Sequence, residues 1–371
     1  MINKIDLNKL NEYKENNLVH IAKSGDLIQI NYTDKTMYNR LWDEITLNAR
    51  GHIYNKRTGE LVCPAMSKFF NYNELSEEQK KELNKRTDYT VTKKYDGSLG
   101  IVYKYKGKLR YNSRGSFDGH VVKEIEKIVN RNKEVKTKLE YLNEDISLNI
   151  EVISPATRVI TNYGDTRELM LITCFEKNKE CWKELDFNRT KEIGQELGLK
   201  VIEEYKMNIE ELIEWCKSHK DKNNEEGFVL RYSDNIRVKY KSIEWMQLNA
   251  VKSQLQEATL LNVALSFYMN PNISYEDKNV ECKKILEEKV MSLPDELYEQ
   301  GREEINKILD KRNKIFKEIE QEYIDSKELD NKEVGISKYK YKDQIYSLRK
   351  GRIGEVERYI IKRIIKENKV N

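Results

Sequence analysis

The chain is poor in the residues that build metal and disulfide frameworks. It carries 5 cysteines and 4 histidines in 371 residues. Cys63, Cys174, Cys181, Cys216 and Cys282 are odd in number and scattered, no C-x-x-C pair occurs, and the histidines do not group with them. This excludes a disulfide framework, argues against a zinc site, and leaves free buried thiols. No run of about eighteen apolar residues is present, so a membrane-spanning helix is not expected. The start, Met1-Ile2-Asn3-Lys4, has no apolar signal-peptide core, and the expected location is the cytoplasm with no membrane partner. Internal repeats and low-complexity linkers are missing too.

What is present suits a folded, well-solvated protein: 38% of residues are hydrophobic and 35% charged, and the length allows two domains with separate cores. A formal net charge of +4 does not by itself announce a polyanion partner. Its distribution says more. Residues 338–371 hold roughly eleven basic against four acidic side chains, interleaved with Tyr339, Tyr341, Tyr346 and Tyr359, a mix that suits phosphate contact and base stacking as well as an ordinary solvated helix.

Two regimes divide the chain near Lys241. Up to residue 243, short β-type runs alternate with helices; from 244 to 371 the pattern is helical almost throughout. In the first part, residues 101–105 and 108–111 flank Lys106-Gly107, and residues 228–232 and 236–240 flank Ser233-Asp234-Asn235; both read as antiparallel hairpins. Further strands are expected over 147–153 and 169–175. Helices are expected after the capping box Ser76/Gln79 and over 121–142, 188–197 and 209–217. The expected fold class is α+β, antiparallel sheets with flanking helices, followed by an all-α C-terminal domain. In the latter, Ile305, Ile308, Leu309, Phe316, Ile319 and Tyr323 fall at three- and four-residue steps, so a long helix from about Pro294 presents one apolar stripe that residues 248–268 and 356–365 are placed to cover.

Chemistry gathers in the first part. Lys94-Tyr95-Asp96-Gly97 sets a lysine before a tight turn, and Lys93 beside it is expected to face the other way. A lysine attacks the α-phosphorus of a nucleoside triphosphate only when neutral, so such a site must lower its pKa with nearby cations and partial burial. Lys239 and Lys241 lie two apart on an expected strand, so both ammonium groups face one side, although an exposed basic strand edge carries the same pattern. Glu151 is a carboxylate in the apolar run 148–153, costly to bury unless paired or bonded. Glu226-Gly227-Phe228-Val229 opens a strand with an acid, as a strand entry or as a carboxylate for a hard metal ion on phosphate oxygens.

In order, Lys94-Tyr-Asp-Gly, Glu151, the strand ending in Cys174-Phe175-Glu176, Glu226-Gly-Phe-Val and Lys239-Tyr-Lys241 resemble the covalent nucleotidyltransferase superfamily of ATP-dependent ligases and capping enzymes. Ala49-Arg50-Gly51, Lys68-Phe69-Phe70-Asn71, Ser113-Arg114-Gly115-Ser116 and Asn149-Ile150-Glu151 with Ser154-Pro155 and Arg158-Val159-Ile160 are similar to the bacteriophage RNA ligase 1 family, over about residues 28–250. The resemblance implies an ATP-dependent RNA ligase that joins 5′-phosphate and 3′-hydroxyl RNA ends through lysyl-AMP and RNA-adenylate, in RNA repair with tRNA as a candidate substrate, and working as a monomer. It implies Lys94 as the adenylated nucleophile, Glu151 on the ribose, and Glu226 on Mg²⁺ or Mn²⁺. Lys239 and Lys241 fall on the α-phosphate, Arg50 and Lys68 on the β- and γ-phosphates, and Arg114 where the family has a lysine. Tyr32 and Phe70 line the nucleotide pocket in this reading, and Phe175 stacks on adenine. Residues 1–243 then form the adenylyltransferase domain and 244–371 an RNA-positioning domain. An ATP-dependent DNA ligase or a GTP-using capping enzyme shares the lysine and the K-x-K pair but would normally append an OB barrel, and a noncatalytic RNA-binding relative would not need Lys94, Glu226, Lys239 and Lys241 intact.

Overall fold

The computed structural model describes residues 2–179, 181–218, 225–254 and 295–368. They fall into two compact units, Met1–Met246 and Gln247–Asn371. The first is α+β. Its first sheet runs β1 (Val19–Ser24), β2 (Leu27–Tyr32), β3 (Arg50–Asn55), β4 (Leu61–Cys63) in sequence order. The second has the order β11 (Cys181–Glu184), β10 (Glu168–Asn178), β9 (Ile146–Ile153), β7 (Ser98–Tyr105), β8 (Lys108–Ser113), with β12 (Lys200–Val201) also on β10. The third is β13 (Glu204–Tyr205), β6 (Tyr89–Lys94), β14 (Gly227–Tyr232), β15 (Arg237–Lys241) and β5 (Phe70–Asn71). Pairing is antiparallel except for β12 on β10 and β5 on β15.

Both expected hairpins form. Tyr105 pairs with Lys108 across Lys106 and Gly107, whose φ angles of 51° and 72° give the mirror-image turn that matches strand twist. The helix expected over 121–142 is two helices, His120–Arg131 and Lys133–Glu140. Asn132 separates them: its backbone is extended (φ −110°, ψ 95°) and its side chain accepts the Val135 N–H at 3.2 Å, a local bond that competes with continuing the helix. Periodicity alone cannot reveal that break.

Alternation along β9 decides what faces the site. Leu148, Ile150 and Val152 enter a core with Val121, Ile125, Leu139, Ile193 and Leu197 from the helices. The intervening Ser147, Asn149 and Glu151 therefore point to the opposite side. There Asn149 accepts the Met66 N–H at 2.9 Å and donates to Pro64 O at 3.3 Å, pinning the segment that carries Ser67 to Phe70 against the sheet.

In the second unit the described elements are helices: Asp295–Asp325, Asn331–Ile336, Lys342–Arg349 and Ile353–Asn368. On the long helix Ile308, Ile315 and Ile319 are buried, and on the last Val356, Ile360, Ile361 and Ile364 are buried, so residues 356–365 do supply an apolar face. Leu309, Phe316 and Tyr323 are only half-buried. Pro294, Cys282 and most of 248–268 lie outside the described residues, as does the side chain of Ile305. Glu357 is fully buried and held by the Arg312 guanidinium, with Nε at 3.1 Å from Oε2. None of the described helices is long and apolar enough to cross a membrane.

Gly227 is the tightest backbone position near the cleft. Its φ is +138°, and a Cβ there would lie 2.0 Å from Tyr240 O. We expect Gly227→Ala to cost roughly 2–4 kcal/mol, from strain and collision together. The urea midpoint of the first unit should fall with an unchanged m-value; an unchanged midpoint would contradict this packing.

Candidate active site

Register across the third sheet builds the site as a set of rungs. Lys94 on β6 lies opposite Gly227 on β14, and Gly227 lies opposite Lys241 on β15. One rung further along come Thr92, Val229 and Lys239; the next is Thr90, Arg231 and Arg237. Residues directly opposite one another share a face, and steps of two return to it. The lysines thus stand on one face because of pairing register, and Gly227 between them allows the close backbone approach of β14 and β15, since a Cβ there would collide with Tyr240 O. Lys94, Lys239, Lys241, Arg50 and Glu151 line one cleft, backed by Met66, Ile172, Phe187, Ile202 and Val229. Its lining, apolar walls with a few convergent polar groups, is that of a small-molecule site.

Glu226, 3% exposed, ties the first rung together. Lys94 Nζ donates to its Oε2 at 2.6 Å, and Lys241 Nζ lies 2.8 Å from Oε1. Burial disfavours the Glu226 charge, but Lys94 and Lys241 outweigh it and hold the carboxyl below its ordinary value. The expectation that Lys94 has a lowered pKa is not met. Burial pulls it down, yet Glu226, Glu151 and Asp96 outweigh burial and raise it. Lys94 is thus an ammonium held by carboxylates. The depressed lysine is Lys239, lowered well below its usual value by burial and then by Arg50, Lys94, Lys68 and Lys241. Lys93, expected to face away, sends its ammonium to a different carboxylate, Glu225 at 2.5 Å, but its stem still borders the cleft.

The loop after Lys94 is clamped. Asp96, also buried, accepts the backbone N–H groups of Ile160 and Thr161, each at 2.6 Å, and the Trp245 Nε1–H at 3.2 Å. Asp96 N–H donates to Tyr163 Oη at 2.9 Å, and Gly97 N–H donates to Glu151 Oε1 at 3.0 Å. A Cβ on Gly97 would sit 2.4 Å from Val152 O, so this loop needs glycine for close approach to β9. Burial pushes the Glu151 carboxyl up to about 7, with Lys94 and Arg50 opposing and Glu226 and Asp96 adding to the rise.

The remaining expected residues form a neighbouring cluster. Lys68 Nζ stands 5.8, 5.3 and 5.1 Å from the ring centres of Tyr32, Trp42 and Phe70. Arg114 lies over the same Tyr32 ring at 5.4 Å. Tyr32, Phe70, Lys68 and Arg114 do not line the Lys94 cleft itself; Arg50 joins the two, lining the cleft while Arg114 adds to the burial that lowers its pKa to about 10. The placement of Phe175 differs from the expectation. It is 1% exposed in a core with Leu10, Tyr54, Leu61 and Trp182, and Ile172 of the same strand lines the cleft. Phe175 pairs with Ser147, on the Glu151 face but four residues along β9 from Glu151, too far along the strand to reach the cleft, whereas Ile172 sits in a bulge between Leu171 and Thr173 that a simple count of two does not anticipate.

Sequence reasoning missed Trp42, Phe69 and Trp245. Lys239 Nζ lies 4.4 Å from the Phe69 ring centre, and Lys241 Nζ 4.0 Å from that of Trp245. Phe69 sits inside the quoted Lys68-Phe69-Phe70-Asn71 segment, and Trp245 four residues past Lys241; an aromatic beside a functional cation was the available signal. Among the described residues no group of three or more His, Cys, Asp or Glu side chains could hold a metal. Glu226 and Glu151, both acting on Lys94, do fit an ion of the Mg²⁺ type, which takes one or two carboxylates and completes its shell with substrate phosphates and water.

Residues 48–247, more than half of the chain, match a family described as RNA ligase. The chain belongs to that family. A Thermovibrio ammonificans protein provisionally named RNA ligase is 26% identical over 166 residues, 44% of this chain and 42% of the relative. A baculovirus protein, of Autographa californica nuclear polyhedrosis virus, provisionally named bifunctional polynucleotide kinase/RNA ligase, is 32% identical over 98 residues, 24% of this chain and 14% of the relative. The matches thus span less than half the length of either. Among solved structures, a Naegleria gruberi RNA ligase with PPi shares 18% identity, covers 49% of this chain and 57% of that one, and gives a TM-score of 0.41. An Aquifex aeolicus protein provisionally named ATP-dependent DNA ligase shares 16% identity over 85% and 80% of the two chains, with a TM-score of 0.44.

The Glu151 environment sets a pH dependence. Its folded pKa is raised from 4.5 to about 7, so its share of stability is complete below the unfolded value and is lost as pH rises through the folded one. Between pH 4.5 and 7 the native chain should lose on the order of 3 kcal/mol relative to Glu151→Gln. Denaturant titrations of both proteins at several pH values check this. Parallel stability curves would remove the buried-carboxyl reading.

Proposed function

We propose that the protein is an ATP-dependent RNA ligase, with residues 1–243 as the adenylyltransferase domain and 244–371 as an all-α domain that positions RNA. The observation that carries this reading is the rung Lys94–Gly227–Lys241 closed by Glu226, next to Lys239 and an apolar back wall. That arrangement suits a nucleophilic lysine, a doubly held α-phosphate and a base. In the first step Lys94 Nζ, freed of its proton, attacks the α-phosphorus of ATP and pyrophosphate leaves, giving a lysyl-AMP phosphoramidate. An oxygen of the RNA 5′-phosphate then displaces Lys94 and takes the AMP. Finally the 3′-hydroxyl attacks that 5′-phosphorus, loses its proton and expels AMP.

Each step asks something definite of the chain. Lys94 is held as an ammonium chiefly by Glu226 against the pull of burial, so its release from Glu226 leaves burial to favour the neutral amine. Lys239 and Lys241 then meet the charge that builds on the α-phosphate oxygens, preorganised by the sheet. Arg50, Lys68 and Arg114 take the β- and γ-phosphates, Tyr32 and Phe70 border them, and Glu151 takes the ribose. Ile172 and Val229 are placed to sandwich the base. Glu226 holds Mg²⁺ or Mn²⁺ when nucleotide is bound, and such an ion neutralises phosphate charge.

Mass spectrometry after incubation with ATP and Mg²⁺ should find AMP on Lys94, and Lys94→Ala should abolish it. Lys239→Ala and Lys241→Ala should each slow labelling at least tenfold, since losing one cation at the phosphate costs on the order of 2–4 kcal/mol in the transition state. Full labelling of Lys94→Ala, or sealing of nicked DNA in preference to RNA, would reject the reading.

For RNA, the second unit offers Arg358 and Lys362, exposed, four residues apart on the last helix, and without an ion pair among the described residues. Arg363 is unsuited to this role because its guanidinium donates to Tyr341 Oη at 2.5 Å and lies over that ring. Reversing both charges, Arg358→Glu with Lys362→Glu, should weaken RNA binding and reduce the slope of log affinity against log salt by about 2. An unchanged slope would place the RNA elsewhere.

A further inference from the structure

The end of the Lys94 cleft farthest from the nucleophile is closed by a charged network that no step of adenylation requires. It is built on the third rung, Thr90–Arg231–Arg237. Arg237 forks onto Glu184, with Nη1 donating to Oε2 at 3.0 Å and Nη2 to Oε1. Glu184 Oε1 also accepts from Thr173 Oγ1 at 2.7 Å and lies 3.8 Å from Arg231 Nη2. Arg231 Nη2 donates to Leu185 O at 2.5 Å and to Asn235 Oδ1 at 2.6 Å. Glu184 and Arg237 are 8% exposed at their side chains and Arg231 11%. Glu184 belongs to β11 and Thr173 to β10 of the second sheet, whereas the arginines belong to the third. The network therefore joins the two walls of the cleft.

Beyond it lies open space. Thr90, Phe187 and Arg231 line the cleft on one side and an open groove on the other, which Glu184 also borders. The third rung is four residues from the first, roughly 13 Å along the strands. A nucleotide with its α-phosphorus at Lys94 and Lys241, and its base over Val229, reaches the network with the edge farthest from its ribose, which in adenine carries the exocyclic amine. Arg237 is forked onto Glu184, and Arg231 is held by Leu185 O, Asn235 Oδ1 and Thr173 Oγ1, so this wall meets the base chiefly by shape.

We propose that the Glu184–Arg237–Arg231 network is the end wall of the nucleotide site and sets base specificity by size, excluding nucleotides with bulky substituents on the exocyclic amine. This rests on the ATP-dependent reading above. Glu184→Ala with Arg237→Ala removes one charge of each sign, leaves Arg231 hydrogen-bonded to Leu185 O and Asn235 Oδ1, and opens the cleft into the groove.

The test compares labelling of the full chain by ATP and by an ATP analogue bearing a benzyl group on the exocyclic amine, each with Mg²⁺. The native chain should use ATP and reject the analogue. The double variant should raise the analogue-to-ATP ratio by at least about tenfold, the scale on which pocket shape discriminates, and Arg231→Ala should shift it in the same direction. If the double variant does not fold by circular dichroism, Arg231→Ala decides alone. An unchanged ratio in a folded variant, or a native chain that already takes the analogue as well as ATP, overturns the proposal. A native chain that labels with neither nucleotide overturns the adenylation reading itself.

Discussion

Everything at the cleft depends on one carboxylate shared by two lysines. Glu226 lies almost wholly out of solvent between Lys94 and Lys241, and none of the three charges could be kept there alone, because a buried unpaired ion costs several kcal/mol. The shared pairing fixes where the Lys94 ammonium stands and sets the Lys241 ammonium beside it. It also explains the backbone around it. A side chain at 227 would collide with the backbone of β15 at Tyr240 and Lys241, and the positive φ there is one that glycine adopts without strain.

The second sheet contributes the other half of the site by a different device. β9 spends its odd-numbered face on polar residues: Ser147 and Asn149 bind the 64–66 segment and Glu151 binds the loop after Lys94. Asp96 completes the frame through Ile160, Thr161 and Trp245. The lysine-bearing strand and the carboxylate-bearing strand are thereby held at fixed separation by hydrogen bonds to backbone, the least adaptable partners available, which is what preorganisation of a charged site requires.

Much of this was legible in the sequence because it depends on period-two spacing and on short glycine-containing turns. The hairpins over 101–111 and 228–240, the shared face of Lys239 and Lys241, and the oddness of a glutamate at 151 all follow from strand geometry. What escaped is what depends on register or on competition. Phe175 falls four residues of β9 away from Glu151 and packs in a core, while Ile172 at the bulge between Leu171 and Thr173 lines the cleft, and the Asn132 cap split one expected helix in two. The charge state of Lys94 was misjudged for a third reason. Counting cations in the sequence identified Lys239 and Lys241 but gave no distance to Glu226, and at 2.6 Å the carboxylate wins.

That outcome changes what reactivity can reveal about this protein. Amine-selective electrophiles attack the neutral form of a lysine, so they rank lysines by how readily each gives up its proton and by access. In the resting protein the lysine poised to give up its proton is Lys239, pressed by burial and four neighbouring cations, while Lys94 is masked as an ammonium. A survey of hyper-reactive lysines would therefore single out Lys239 over Lys94, and the contact with Glu226 would shield Lys94 from adventitious acylation.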